Sequence, residues 1–287
     1  MLDALTLQEM MDVGAHFGHQ TRRWNPKMKP YLFGSRSGVH IIDLQKTLGL
    51  ADRAFKAAED IVARGESILF VGTKEQAQKI IESEAIRCKM PYVAKRWLGG
   101  MLTNFPTIKK SVERLIDLEQ RREKNDFAGF TKKELLNVDR EIEKLELSLG
   151  GVKNLRKSPG AVFVVDPFIE KIAVHEAKLL GIPVIAVADS NCDPDPIDYV
   201  IPANDDAMKS IQIFVTRLAD ACLRGEERRQ KEIVKEETFQ KVEREKEKKP
   251  FVRTKKVEQA GTAYVSKPEA SAENEKVESF SATPETE

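Results

Sequence analysis

Short runs of apolar residues alternate with longer amphipathic stretches along most of the chain. The runs lie at residues 67–73, 91–94, 161–166, 183–189 and 198–202. Several are continuously apolar, which is typical of parallel strands covered by helices on both faces. The amphipathic stretches predict helices at about 44–64, 75–88, 168–180 and 205–224. Thr73 with Gln76 fits a capping box that opens the second helix. The pattern predicts an α/β fold.

Residues 105–149 follow a different pattern, with apolar residues at alternating spacings of three and four. The two arms are Phe105, Ile108, Val112 and Leu115, then Leu135, Val138, Ile142, Leu145 and Leu149. The joint, residues 125–131, ends in Thr131, which with Glu134 predicts a capping box. The stripe is narrow and its flanks are charged, so we expect a protruding, separable helical hairpin. An ordinary helical pair inside the core is the alternative.

The chain is 41% apolar and 32% charged, which predicts a globular body. From Gly225 onward it is highly charged and then rich in Ser, Thr, Glu and Pro. We therefore expect an α/β domain (1–104 and 150–224), a hairpin (105–149) and a tail (225–287) that is disordered after a solvated helix.

Two further features concern the compartment. No signal peptide is visible, and no stretch approaches the roughly 18 apolar residues of a membrane span, so a cytoplasmic location is expected. The cysteines Cys88, Cys192 and Cys222 are widely spaced, which predicts buried or free thiols and no disulfide framework.

The net charge does not indicate the class of partner, since 47 Lys and Arg residues balance 46 Asp and Glu residues. The charges are segregated, however, because windows 13–42, 85–112 and 147–165 contain no acid. Such windows favour contact with a polyanion, where a misplaced carboxylate would repel phosphate. Chance clustering on a solvated surface is the alternative. The candidate RNA-binding residues are His16, His19, Arg22, Arg23, Trp24, Lys27, Lys29, Arg36, Lys95, Arg96, Lys109, Lys110, Lys153, Arg156 and Lys157.

The tryptophans and histidines in these windows allow other interpretations. Trp24 and Trp97 lie beside cations and could stack on bases, but we favour a role as anchors that pack loops onto the sheet. His16 and His19 have the spacing of one helix face, yet a structural zinc site needs four ligands and no cysteine pair or acidic third ligand is nearby. Contacts to a phosphate or a backbone carbonyl are the favoured interpretation.

A nucleotide-binding enzyme is the rival hypothesis, because open α/β sheets bind ligands beyond the carboxyl ends of their strands. Its site would lie at Thr73, Asp166 and Asp189. However, neither of the two glycine-rich patterns that bind phosphate, G-x-x-x-x-G-K-[ST] and G-x-G-x-x-G, is present. The segment 189–195 departs from a calcium loop at Pro194. No catalytic constellation is visible, so we expect neither enzymatic activity nor a cofactor. A weak Mg²⁺ site is one interpretation of the carboxylates Asp166, Asp189, Asp205 and Asp206. The alternative is that these residues cap helices and form turns.

Seven separated motifs resemble one known family. They are GAHFGHQTRRWNPKMKPYLFG, HIIDLQKT, ILFVGTKEQA, RWLGGMLTNFPTI, KLELSLGG, FVVDP and LGIPVIAVADSNCDPDPIDYVIPANDDA. In this order they are similar to the bacterial small-subunit ribosomal protein two family, over residues 2–224. The resemblance implies a Rossmann-like or flavodoxin-like three-layer sandwich with a five-stranded parallel sheet and an inserted antiparallel coiled-coil hairpin. The tail after Gly225 matches no motif.

The resemblance also implies a function. A member of this family is a non-catalytic structural constituent of the small ribosomal subunit, at the head-body junction, and takes part in translation. Its expected partners are small-subunit rRNA and neighbouring ribosomal proteins, including the large first protein, whose docking it supports for mRNA recruitment. No membrane and no small-molecule substrate are expected. The α/β nucleotide-binding enzyme with its site at the strand carboxyl ends remains the alternative.

Overall fold

The computed structural model describes residues 5–124, 126 and 130–248, with side chains described as far as residue 235. Residues 125 and 127–129 of the predicted hairpin joint lie outside the described residues, as does the predicted tail beyond residue 248. Within the described part, no helix is both long and apolar enough to cross a membrane.

The N-terminal region contains a small antiparallel sheet that the apolar pattern does not predict. It follows helix α1 (Leu7–Asp12) and has the strand order β1-β3-β2, formed by β1 (Phe17–Gln20), β2 (Leu32–Arg36) and β3 (Val39–Ile42). Ser37 and Gly38 both have positive φ, 52° and 77°, in the tight turn between β2 and β3. This Ser-Gly pair between two short strands is the signal that could have located the hairpin.

Five further strands form an all-parallel sheet with the order β5-β4-β6-β7-β8. They are β4 (Ile68–Val71), β5 (Tyr92–Val93), β6 (Ala161–Val165), β7 (Val184–Ala188) and β8 (Tyr199–Pro202). In chain order this arrangement is 2-1-3-4-5, the flavodoxin-like topology. Every residue of β4, β6 and β7 is buried, which explains the continuously apolar runs. The predicted fold class is confirmed.

Six helices accompany these strands in the described part of the chain. They are α2 (Leu44–Ala63), α3 (Glu75–Arg87), α4 (Phe105–Glu123), α5 (Lys132–Leu149), α6 (Lys171–Leu179) and α7 (Met208–Lys248). The last helix crosses Gly225, where the sequence pattern predicts the start of a tail. A Cβ at Gly225 would lie 2.6 Å from the Glu59 carbonyl oxygen and 2.9 Å from the Val62 Cβ. Gly225 therefore permits the close approach of α7 to α2 and does not end the helix.

The parallel sheet separates two hydrophobic cores. On one face α2, α3 and α7 contribute Phe55, Ile81 and Phe214, which are all buried. On the other face α6 packs together with α4, α5, Met28 and Trp97. These layers form the predicted sandwich. The three cysteines are free and buried within the two cores.

The base of the helical hairpin is part of the second core. Val112, Leu115 and Leu149 are buried in the same cluster as the sheet residues, and Leu145 packs partly buried against them. The expectation that the apolar stripe pairs only arm with arm, and that the whole hairpin is separable, is therefore wrong for its base. The capping box predicted at Thr131 and Glu134 is present.

Candidate nucleic-acid interface

The basic N-terminal stretch is fixed to the carboxyl edge of the parallel sheet. The His19 N–H donates to Asp189 Oδ1 at 3.2 Å and to Ser190 Oγ at 2.9 Å. The Asn25 N–H donates to the Ser190 carbonyl oxygen at 2.8 Å. Gly18 has no room for a side chain, because its Cβ would lie 2.9 Å from both Asp189 Oδ1 and Ser190 Oγ. Residues 18–25 therefore cover the edge where folds of this class usually bind ligands.

The two histidines have different surroundings. His19 Nδ1 lies 2.8 Å from Asp189 Oδ2, and His19 Nε2 lies 3.6 Å from Asp206 Oδ2. The hydrogen bond to Asp189 raises the pKa of His19. His16 stacks on Phe17 at 4.0 Å between ring centroids, and its Nδ1 is buried without a hydrogen-bond partner. His19 thus faces carboxylates. Among the described residues, His16 and His19 do not form a shared metal site.

The four carboxylates of the predicted weak magnesium site lie close together, next to Lys74. The sequence pattern did not predict a role for this lysine. We call Asp166, Asp189, Asp205 and Asp206 the acidic cluster. The Lys74 Nζ lies 3.1 Å from Asp166 Oδ2, 2.7 Å from Asp205 Oδ1 and 2.7 Å from Asp206 Oδ1. Burial opposes the charge of Lys74, but these carboxylates raise its pKa above the ordinary value. An internal ammonium group therefore balances part of the cluster.

Asp205 is the most deeply buried member of the acidic cluster. Its side chain is fully buried, and its Oδ2 has no hydrogen-bond partner. Burial, together with the charges of Asp166 and Asp189, raises the pKa of Asp205 to about 7. Ligand atoms of His19, Asp189, Asp205 and Asp206 lie within 4.8 Å of one another, so these residues could reach one cation. Lys74 already bonds to two of them.

The predicted capping box at Thr73 and Gln76 is wrong. Helix α3 begins at Glu75, and its N-cap residue is Lys74, whose side chain makes no capping hydrogen bond. The Thr73 N–H instead donates to Glu170 Oε1 at 2.7 Å. Burial raises the pKa of Glu170, against the opposing hydrogen bonds from Thr73. A carboxylate from the loop before α6 thus occupies the position where a phosphate oxygen would bind.

Trp97 anchors the loop after β5, which agrees with the interpretation favoured from the sequence. It is buried, and its Nε1–H donates to Glu176 Oε1 at 3.1 Å. Glu176 also accepts backbone N–H groups of Gly100 at 2.8 Å, Leu102 at 3.0 Å and Thr103 at 3.1 Å. Although burial opposes ionisation, these hydrogen bonds lower the pKa of Glu176. The loop after β5 is therefore fixed by one carboxylate of α6.

Trp24 is half-buried and leaves less surface for a base than an exposed ring would. Its ring lies 4.9 Å from that of His40, measured between centroids. The position packs β3 against the segment that follows β1. The structure thus supports an anchoring contact for Trp24 as well.

Three of the candidate cations are engaged within the protein. Lys27 pairs with Asp193 at 2.9 Å and with Asp195, and these two carboxylates raise its pKa. Lys153 lies 2.8 Å from Glu119 Oε1 and 2.5 Å from Glu146 Oε2, so it joins α4 to α5. Lys95 donates to Gln78 Oε1 at 2.8 Å. The carboxylate partners lie outside the acid-free windows, which is why the windows did not reveal them: Asp193 is 166 residues from Lys27, and Glu146 stands directly before the window 147–165.

The other candidate cations are exposed. In the described ranges they make no ion pair; these residues are Arg22, Arg23, Lys29, Arg36, Arg96, Lys109, Lys110, Arg156 and Lys157. Arg22 donates only to the neighbouring Gln20, at 2.9 Å. Exposed and uncompensated cations retain their full attraction for phosphate. They form the candidate interface, and we call them the free cations.

Known proteins resemble the chain over most of its length. The family described as Ribosomal protein S2 matches residues 10–225. Small ribosomal subunit protein uS2 of Lawsonia intracellularis is 55% identical over 222 residues, which cover 77% of this chain and 76% of that protein. The protein of the same name from Maridesulfovibrio salexigens is 53% identical over 228 residues, with coverage of 79% and 88%.

A third protein named small ribosomal subunit protein uS2, from Geotalea uraniireducens, is 54% identical over 221 residues and covers 77% of this chain and 86% of its own length. All three relatives bear the name of a ribosomal protein and not of an enzyme. The matched region includes the parallel sheet, the hairpin and the free cations. By these matches the chain belongs to the ribosomal protein S2 family.

Proposed function

We propose that this chain is a structural constituent of the small ribosomal subunit that binds small-subunit rRNA through the free cations. The proposal rests on the exposure and lack of ion pairs of the free cations. They come from three acid-free windows, and in the described part of the chain they are exposed and make no ion pair. Each cation placed against a phosphate releases condensed counterions, which makes RNA binding favourable and dependent on salt. The role belongs to translation in the cytoplasm.

A second part of the proposal concerns protein partners. We propose that the chain also contacts neighbouring ribosomal proteins and supports docking of the large first protein of the subunit for mRNA recruitment. The support is an apolar surface on the antiparallel sheet, where Phe33 is 81% exposed and Phe17 is 49% exposed. Both line a cavity of about 500 Å³. Phe33→Ser is expected to weaken retention of that protein on purified subunits, whereas Leu179→Ser, at an exposed apolar position of α6 outside this cavity, leaves it unchanged.

The arrangement at the carboxyl edge speaks against the nucleotide-enzyme alternative. A phosphate there would meet the acidic cluster and Glu170 instead of free N–H groups. We also propose that the chain has no resident cofactor, since Lys74 supplies positive charge to the cluster. Weak Mg²⁺ binding would have to displace its ammonium group from Asp205 and Asp206.

The test of rRNA binding compares two triple variants of equal charge. The first removes free cations: Arg22→Gln, Arg23→Gln and Lys29→Gln. The second removes cations that are paired with carboxylates, namely Lys27→Gln, Lys178→Gln and Arg228→Gln. Affinity for a small-subunit rRNA transcript is measured by filter binding across a range of potassium chloride concentrations. Circular dichroism of each variant checks the fold.

We expect the first variant to reduce the slope of log affinity against log salt by about 0.7 to 0.9 per lost phosphate contact. The second variant should keep the slope of the unchanged protein, because the lysine and arginine side chains that it removes contact carboxylates of the protein and not phosphates. Equal slopes for all three proteins, or no salt-dependent binding by the unchanged protein, would overturn the proposal.

A further inference from the structure

A cavity lies at the amino edge of the parallel sheet, opposite the acidic cluster. Its volume is about 940 Å³, within the range typical of ligand sites. It is lined by the segments that lead into three strands: residues 64–67 before β4, 89–92 at β5 and 154–160 before β6. Because the strands are parallel, these segments meet at one edge.

The lining of this cavity is strongly basic. Arg64, Lys89, Arg156 and Lys157 line it, and Glu66 is the one carboxylate among the described lining residues. Glu66 already lies 3.5 Å from Arg64. Lys89, Arg156 and Lys157 make no ion pair in the part of the chain that the structure describes. Lys89 acts on Glu226 of α7 at longer range, since Arg229 first and Lys89 to a smaller extent lower the pKa of that carboxyl, and so part of the positive charge stays without a counter-charge. An anion of more than one charge would neutralise it.

The cavity also offers apolar surface and uncommitted polar groups. Ile86 is 60% exposed and, with Met90 and Pro91, forms an apolar wall. The Asn154 amide and the Ser158 hydroxyl line the same space, and both residues are exposed. Apolar surface fits the face of a nucleobase, amide and hydroxyl groups fit its polar edge, and the cations fit its phosphate.

We infer that this cavity binds one unstacked nucleotide from a single-stranded segment of the rRNA. The phosphates contact Lys89, Arg156 and Lys157, and the base lies against the wall formed by Ile86. The inference rests on the proposed rRNA binding and specifies one of its sites. An RNA strand is favoured over a free nucleotide because the cations are spread over two segments, 89 and 156–157, which suits the successive phosphates of a chain.

The test uses the full chain with four variants. The cavity variant carries Lys89→Gln, Arg156→Gln and Lys157→Gln. Its matched control carries Lys132→Gln, Lys171→Gln and Lys209→Gln, three exposed lysines that do not line the cavity. Ser158→Trp fills the cavity without a change in charge, and Ser83→Trp, at an exposed position of α3 that does not line the cavity, is its control. Each protein is titrated with a small-subunit rRNA transcript over a range of salt, and with the four nucleoside 5′-monophosphates at millimolar concentration.

We expect the cavity variant to bind the transcript at least tenfold more weakly and with a salt slope lower by about 2, at about 0.7 per single-strand phosphate contact. Ser158→Trp should also weaken binding about tenfold, while both controls bind like the unchanged protein. The monophosphates should not bind saturably.

Three results would overturn the inference. If the cavity variant and Ser158→Trp bind the transcript like the unchanged protein, the cavity is not an RNA site, although the proposed function stands. If the two triple variants lose equal affinity, the effect is one of general charge and not of the cavity. Saturable binding of a monophosphate that only the cavity variants lose would identify a small-molecule site. A failure of the unchanged protein to bind rRNA would instead refute the proposed function itself.

Discussion

The two edges of the parallel sheet are opposite in charge and in how far they are closed. At the carboxyl edge the acidic cluster surrounds Lys74, and the segment around Gly18 and His19 packs over it. At the amino edge the cations Lys89, Arg156 and Lys157 surround an open cavity of about 940 Å³. One edge thus pairs part of its charge with groups of the same chain and is covered by it, and the other leaves its cations open to a partner.

This difference indicates how a fold that commonly binds nucleotides can serve a different purpose. Such folds bind phosphate at the carboxyl edge through free N–H groups at a helix N-terminus. Here the Thr73 N–H is bound by the Glu170 carboxylate, so the usual position is taken by an anion of the chain. The cations available to a polyanion lie on loops elsewhere. Three predictions test this contrast, in order of decreasing expected effect.

The largest effect is expected at Glu176, whose carboxylate holds the loop at the carboxyl end of β5. Glu176→Ala removes the acceptor for Trp97 Nε1–H and for the N–H groups of Gly100, Leu102 and Thr103. We expect a loss of about 4 kcal/mol in the free energy of unfolding, at about 1 kcal/mol or more for each donor. Urea unfolding measures it.

The control is Glu113→Ala, which removes an exposed carboxylate of α4. It should change the free energy of unfolding by no more than about 0.5 kcal/mol. If both substitutions have similar small effects, the carboxyl edge is not held together by internal charge satisfaction, and the contrast between the edges weakens.

The second prediction concerns pH, because Asp205 of the acidic cluster binds its proton more tightly in the folded protein. Although burial opposes ionisation of Asp206, the hydrogen bond and the charge of Lys74 lower its pKa, so Asp206 affects stability only below pH 3.8. The pKa of Asp205 is raised from an ordinary value of 3.8 to about 7. A raised pKa contributes stability that is complete below pH 3.8 and is lost as the pH rises through about 7. The raised pKa of His19 acts in the same direction at higher pH. The protein should therefore lose stability from this cluster between pH 5 and pH 8.

Asp205→Asn removes the ionisation while Lys74 keeps its contacts with Asp166 and Asp206. We expect the decrease in Tm between pH 5 and pH 8 to shrink by a few degrees, since 1 kcal/mol corresponds to about 2–4 °C for a domain of this size. Asp52→Asn, at an exposed position of α2, is the control and should leave the decrease unchanged. A decrease in Tm that is the same in all three proteins would contradict the prediction.

The sequence predicted the sheet well and its edges poorly, for a physical reason. Strands β4, β6 and β7 are buried on both faces, so each leaves a continuous apolar run that one window of sequence contains. The partners of Thr73 and Lys27 are Glu170 and Asp193, at separations of 97 and 166 residues. No local pattern encodes such pairs.

The same limit explains why the role of Gly225 and that of Lys74 were not predicted. The sequence pattern places a boundary between a helix and the tail at Gly225, whereas the nearby Glu59 carbonyl oxygen on α2 shows that this glycine allows two helices to approach. Lys74 is one of 47 lysines and arginines, and nothing adjacent to it marks it as the counter-ion of the acidic cluster. The carboxylates themselves could be proposed, because Asp166 and Asp189 each follow a strand.

The smallest effect is expected when nucleotides are offered to the protein, since the carboxyl edge should not bind them. Glu170 bonds to the Thr73 N–H at 2.7 Å, and Asp166 and Asp205 would face any phosphate placed beside Lys74. Mg²⁺ retains several of its waters and would have to compete with an ammonium group for two carboxylates, so it should not reverse this repulsion. Calorimetry with ATP, GTP and NAD, each with and without Mg²⁺, should show no saturable heat at submillimolar concentration. Micromolar binding that Asp166→Asn or Asp189→Asn abolishes would mean that the carboxyl edge is an active ligand site, and the nucleotide-enzyme hypothesis would replace the structural one.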